Sequence, residues 1–123
     1  METGRRGEEV ALAWLERRGM RLLARNWRNA HKELDLVMED ERAVHIVEVK
    51  TLTPPLQGLP ADRVDAAKQG RLVAAARRFI AENHVDREVQ FDIISVVLED
   101  AGPRVEYIPE AFDPIIRPGG GRR

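Results

Sequence analysis

The chain has 123 residues, a net charge of −1 and no cysteine, with 43% hydrophobic and 33% charged residues. A chain of this length forms one domain that buries about two-thirds of its unfolded surface, and its composition excludes disorder. The lack of cysteine excludes disulfides, thiolate nucleophiles and cysteine-based zinc or iron–sulfur sites.

The densest apolar stretch, Ile93 to Leu98, falls far short of the roughly 20 residues that span a bilayer. Met1 to Arg6 is polar with no apolar segment behind it, so no secretory signal is expected. These features predict a cytoplasmic protein with no membrane partner. The charge is unevenly spread. Residues 1–32 carry eight Lys/Arg against four Asp/Glu, and residues 33–50 carry two against six. A basic arm beside an acidic cluster suits an anionic partner that meets a metal ion. The near-neutral total argues against coating nucleic acid by bulk charge.

Residues 4–18 read as a helix, with Val10, Ala11, Trp14 and Leu15 at helical spacing and Gly19 as the stop. Residues 20–28 read as extended. Lys32 to Glu39 alternates, predicting Leu34, Leu36 and Met38 on one face and Glu33, Asp35 and Val37 on the other. Asp40-Glu41-Arg42 is a polar turn. Ala43 to Lys50 alternates again, with Val44, Ile46, Glu48 and Lys50 on one face. The two runs predict a β-hairpin.

Thr51 to Pro60 holds three prolines and a glycine and reads as a loop. Asp62 is placed to cap the next helix, with Asp65 in its first turn. Val64, Leu72, Ala75, Ala76, Phe79 and Ile80 form its apolar stripe, and it ends near Asn83. Val89 to Leu98 is apolar on both faces, the mark of a doubly covered strand. A turn at Ala101-Gly102-Pro103 leads to a short last strand, Val105 to Ile108. Residues 1–112 form the single expected domain, and 113–123 read as a flexible tail. A strand, a long helix and a covered strand in succession require a parallel pair. The expected fold is therefore α/β, a mixed sheet flanked by helices in the order αβββαββ.

The chemistry concentrates in Glu33-Leu34-Asp35 and Glu48-Val49-Lys50. Opposed residues in an antiparallel hairpin have numbers with a constant sum. If Glu39 pairs with Val44, the sum is 83, Asp35 faces Glu48 and Glu33 faces Lys50. Directly opposed acids repel. A divalent cation between them is one solution, and Lys50 beside them is another. A one-residue slip would put the acids on opposite faces. The plain alternative is a hairpin edge with surface ion pairs. Against it, Glu48 and Lys50 continue an otherwise apolar face, where charge costs desolvation energy.

The chain resembles the small bacterial YraN-type (UPF0102) proteins, predicted nucleases of the PD-(D/E)XK superfamily related to archaeal Holliday-junction resolvases. The resemblance covers residues 4–112. It rests on Gly4-x-x-Gly7-Glu8-x-x-Ala11, Arg25-Asn26-Trp27-Arg28, Glu33-Leu34-Asp35-Leu36 and Val47-Glu48-Val49-Lys50-Thr51. Val64-x-x-x-Lys68, Phe91-Asp92-Ile93 and a terminal Ala111-Phe112 follow in the same order. It implies a restriction-endonuclease-like fold and a metal-dependent endonuclease that hydrolyses DNA, on branched or processed substrates. It implies Mg²⁺ or Mn²⁺ on Asp35, Glu48 and the Val49 carbonyl. Lys50 would position or deprotonate the attacking water, and Glu8 would bind a metal or orient a metal-bound water. Lys32 stands where relatives have glycine, and Leu52 where an arginine is common. Lys68 and Arg71, one turn apart, are the main candidates for phosphate contacts, with Arg28 and Lys32 beside the site. Enzymes of symmetric junctions are often dimers, which makes a homodimer an expectation. The alternative from another class is a non-catalytic nucleic-acid-binding or scaffold protein that retains the nuclease fold.

Other chemistries find no support. His31, His45 and His84 lie far apart, and His45 belongs to the face opposite Glu48. No phosphate-binding glycine loop occurs. Ser95 lies in a buried strand without an adjacent base. Trp14 and Trp27 are expected in the core, and Asp92 is expected to play a structural part.

Overall fold

The structure, a computed structural model, describes residues 2–54 and 64–113. Most of the proline-rich loop, Asp62 and the tail from 114 lie outside the described residues. Helix α1 (Glu2–Arg17) is followed by β1 (Arg21–Asn29), β2 (Lys32–Glu39) and β3 (Val44–Leu52). Then come α2 (Ala66–Glu82), β4 (Val89–Glu99) and β5 (Gly102–Ile108). The strands form one sheet in the order β1-β2-β3-β4-β5. All pairs are antiparallel except β3 and β4, which α2 connects in parallel. This is the mixed α/β architecture that the element order predicts.

The ends of α1 and α2 follow from local chemistry. At the end of α1, Gly19 has a φ of 95°, and the amides of Gly19 and Met20 return to the carbonyls of Glu16 and Leu15. This closing motif satisfies carbonyls at the helix end and favours a residue without Cβ. Asp65, rather than Asp62, caps α2. It is extended, and its Oδ1 accepts the Lys68 amide at 2.8 Å. Gln69 adds a bond to the Val64 carbonyl at 2.8 Å. β3 also runs further than expected. Thr51 and Leu52 pair with Val96 and Val97 in the parallel ladder, so the loop begins later. β5 begins earlier, and accommodates Pro103 because it is an edge strand.

Two apolar clusters hold the layers. On one face α2 presents Leu72, Ala75, Ala76 and Phe79 to Val37, Val44, Ile46 and Phe91. On the other, α1 presents Ala11 and Leu15 to Leu36, Met38, Val47, Ile94 and Val96. Each large side chain fully buried here contributes about 1.5–3 kcal/mol. Trp27 meets Phe79 edge-on at 5.5 Å and Trp14 lies 5.3 Å from Tyr107, so both tryptophans serve packing. Phe112 lies 5.1 Å from Phe91 and brings the end of the fold back to the α2 side.

One expected face assignment is corrected. Leu34 does not share the α1 face with Leu36 and Met38 but packs with Val37 under α2. Its β1 partner, Trp27, packs there too. Strict alternation would put Ala24 and Trp27 on opposite faces, yet both pack in the α2 cluster. Between them Asn26 takes a φ of 51°, which breaks the two-residue period.

Candidate functional site

The hairpin register is the one that decides the site. Leu36 pairs with Val47, Val37 with Ile46, Met38 with His45 and Glu39 with Val44. The constant sum of 83 holds through the ladder, which ends at Leu36 and Val47. Just beyond that end, Asp35 and Glu48 meet on the α2 face. Their carboxyl groups are hydrogen-bonded, and Asp35 Oδ2 also accepts the Val49 amide at 2.9 Å. Asp35 is raised from its ordinary 3.8 to about 7. Burial is the main cause, followed by the charge of Glu48, while the Val49 amide opposes both. Asp35 is therefore about half protonated at neutral pH, and its protonated form can donate to Glu48.

The nearest cation comes from α2. Lys68 Nζ lies 3.0 Å from Glu48 Oε2, and the Glu48 side chain is only 13% exposed. Lys50, two residues along β3 from Glu48, is half-buried on the same face and has interactions of its own. Beside Lys68 opens a cavity of about 270 Å³ lined by His31, Lys32, Glu33, Lys68, Arg71 and Leu72. Lys32, Lys68 and Arg71 are thereby gathered in one groove. Arg28 lies outside that lining and pairs with exposed Glu33 at 3.4 Å. Glu33, in turn, is engaged by Arg28.

Glu8 sits in α1, on the opposite side of the sheet from Lys68. A Cβ on its neighbour Gly7 would collide with Thr51, so α1 approaches the end of β3 very closely. Among the described residues no three His, Asp or Glu side chains converge to hold an ion, so Glu8 does not complete a set with Asp35 and Glu48. Two carboxylates are nonetheless a sufficient protein contribution for Mg²⁺, which keeps several waters. Oxygen donors, two acids forced together and a cation already drawn to them fit a hard divalent ion.

A second polar cluster lies across the sheet. His45 Nδ1 is 2.7 Å from Asp92 Oδ2, and His45 Nε2 is 2.9 Å from Asp40 Oδ2. Both ring nitrogens face carboxylates, so both must carry protons. Asp92 also accepts the Tyr107 hydroxyl at 2.5 Å, Gln90 Nε2 at 2.9 Å and the Glu110 amide at 3.0 Å. Burial works against the charged forms of His45 and Asp92, but these bonds outweigh it. His45 is raised and Asp92 lowered. Asp40 is also lowered: desolvation is the largest single influence and raises it, but the Arg42 and Ala43 amides and His45 together outweigh it. Asp92 thus takes the structural part expected of it. Its side-chain partners are His45, Tyr107 and Gln90, all on neighbouring positions of the sheet. The cue available in the sequence was an acid inside an apolar strand, which demands a buried donor.

A family model described as "Uncharacterised protein family UPF0102" matches residues 7–96. The chain belongs to this family. A UPF0102 protein of Anaeromyxobacter dehalogenans is 42% identical over 117 residues, covering 94% of this chain and 87% of that protein. One from Bacteroides thetaiotaomicron is 42% identical over 113 residues, covering 92% and 93%. One from Syntrophotalea carbinolica is 40% identical over 114 residues, with the same coverage. The UPF0102 match spans α1 to β4 and so includes Glu8, Asp35, Glu48, Lys50 and Lys68. No helix among the described residues of this UPF0102 chain is long and apolar enough to cross a membrane.

Proposed function

We propose that this UPF0102 chain is a metal-dependent endonuclease of the PD-(D/E)XK type that hydrolyses DNA phosphodiester bonds. The observation that carries the reading is the meeting of Asp35 and Glu48 at the open end of the β2–β3 ladder, beside a cationic groove. A solvated hairpin edge would let two acids part. Here the backbone holds them together and the Val49 amide fixes one of them.

Asp35 and Glu48 would hold Mg²⁺ or Mn²⁺, with the Val49 carbonyl as a further oxygen. When bound, the ion supplies positive charge that polarises a phosphodiester and acidifies a water. Lys50 orients that water or takes its proton, and stabilises negative charge that develops on phosphorus oxygens. Glu8, carried by α1 to the end of β3, would act there through water rather than as a direct metal ligand. Lys68, Arg71 and Lys32 hold the phosphate backbone along the groove, and Arg28 extends the contact. Backbone contacts of this kind position a strand without reading its sequence. A preference for branched DNA and a homodimeric assembly belong to the proposal on the resemblance of the sequence motifs alone.

The test is a panel of linear, nicked, forked and junction DNA with matching RNA, under Mg²⁺ and Mn²⁺. Wild type should cut at least one DNA, and Lys50→Ala should lower the rate by about 10²-fold or more while remaining folded. Mn²⁺ should raise Tm in wild type and not in Glu48→Ala. Binding without cleavage under every metal, unchanged by Lys50→Ala, would replace the enzyme by a nucleic-acid-binding scaffold.

A further inference from the structure

We infer that Lys68 is a resident cation that neutralises Glu48 until a divalent ion arrives, and then turns to phosphate, coupling metal binding to nucleic-acid binding. This rests on the metal-centre reading above and adds a regulatory residue to it. The ammonium lies 3.0 Å from Glu48 Oε2, on one side of an acid pair that otherwise repels itself. The Lys68 side chain is 41% exposed, so its head sits at the mouth of the site rather than inside it. Its backbone is anchored, because its amide donates to the Asp65 cap at 2.8 Å. Its four-carbon stem is free to rotate about that fixed point.

A dication at Glu48 cannot share that carboxylate with an ammonium at contact distance, because like charges repel. The ammonium must leave, and the groove of Lys32, Arg71 and His31 is immediately beside it. There it adds positive charge where a phosphate would lie. Binding of metal therefore improves the phosphate site, and by linkage a bound phosphate backbone improves the metal site by the same factor. In the absence of both, Lys68 competes with the metal.

The competition predicts a gain where a simple loss would be expected. Mn²⁺ affinity without nucleic acid, read by electron paramagnetic resonance of the free ion, should become about tenfold tighter in Lys68→Met. Lys68→Arg, which keeps the charge, should stay near wild type. The anisotropy of fluorescein-labelled forked DNA should show that Ca²⁺ tightens binding to wild type about tenfold over EDTA, and that the gain shrinks severalfold in Lys68→Met. Unchanged or weaker Mn²⁺ binding by Lys68→Met, with wild-type binding still lost in Glu48→Gln, would overturn the role of Lys68 alone. No Glu48-dependent Mn²⁺ binding by wild type would overturn the metal centre together with it.

Discussion

β3 carries two acid-bearing constellations on its two faces, and they are opposites in design. On the α1 side, His45 is clamped between Asp40 and Asp92, and Asp92 is also held by Tyr107, Gln90 and the Glu110 amide. Charges alternate in sign and the donors find acceptors. On the α2 side, two acids are pressed together and Asp35 is raised to about 7. Their cation, Lys68, reaches in from a helix with its side chain 41% exposed. A satisfied buried network stabilises a fold, whereas like charges held together by the backbone store repulsion that a ligand can relieve. The first cluster has the design of a structural element, and the proposed function places chemistry on the second.

The largest expected effect breaks the satisfied side. Asp92→Ala leaves the His45 cation buried without its main counter-charge and the Tyr107 hydroxyl without an acceptor. It should cost about 3–5 kcal/mol in urea unfolding. A loss below about 1 kcal/mol would remove the distinction between the two faces. The opposite sign is expected at the other constellation. Asp35→Asn, measured without metal, should stabilise the protein by about 2–4 kcal/mol at pH 8. The gain should fade toward pH 4. Between its unfolded value of 3.8 and its folded value of about 7, Asp35 is protonated only in the folded chain, so wild type loses stability as pH rises through that range. Destabilisation by Asp35→Asn at pH 8 would mean the acids are not in conflict.

Gly7→Ala probes how closely the two sides are joined through β3. The added methyl meets Thr51 and should cost about 1–3 kcal/mol by forcing α1 off the strand. Its effect on Mn²⁺ binding measures how far the α1 side supports Glu48 and Lys50. The whole protein should show a stability maximum in mildly acidic solution. His45 is raised, so its contribution is full below its unfolded value of 6.5 and fades as pH climbs through its folded one. Asp92 and Asp40 are lowered, so theirs is full above the ordinary 3.8 and fades as pH falls through their folded values. Calorimetry without metal between pH 3 and 9 should find Tm highest between about 4 and 6.5. A Tm that rises steadily to pH 8 would contradict both clusters. The smallest effect concerns Arg18, whose guanidinium covers Trp14 at 4.9 Å and Tyr107 at 5.2 Å. Arg18→Ala should cost about 0.5–1 kcal/mol and leave DNA affinity nearly unchanged.

Local periodicity made the helices and the hairpin legible, because apolar spacing and turn residues act between near neighbours. The polar turn Asp40-Glu41-Arg42 determined the register, and the register alone brought Asp35 to Glu48. The sequence could not show that Leu34 turns toward α2, because it does so alongside its β1 partner Trp27, on a strand whose alternation is broken at Asn26. Nor could it choose Asp65 over Asp62 as the cap, for both have the right chemistry.

What the tertiary structure alone decided are the partners of charge. Lys68 reaches Glu48 across twenty residues, and His45 reaches Asp92 across forty-seven. Such pairs depend on how α2 and β4 are laid against β3, and packing of whole elements sets that placement. A one-dimensional pattern records which face a residue favours. It does not record which charge from a distant element will be waiting there, because burial couples residues through space and not through spacing.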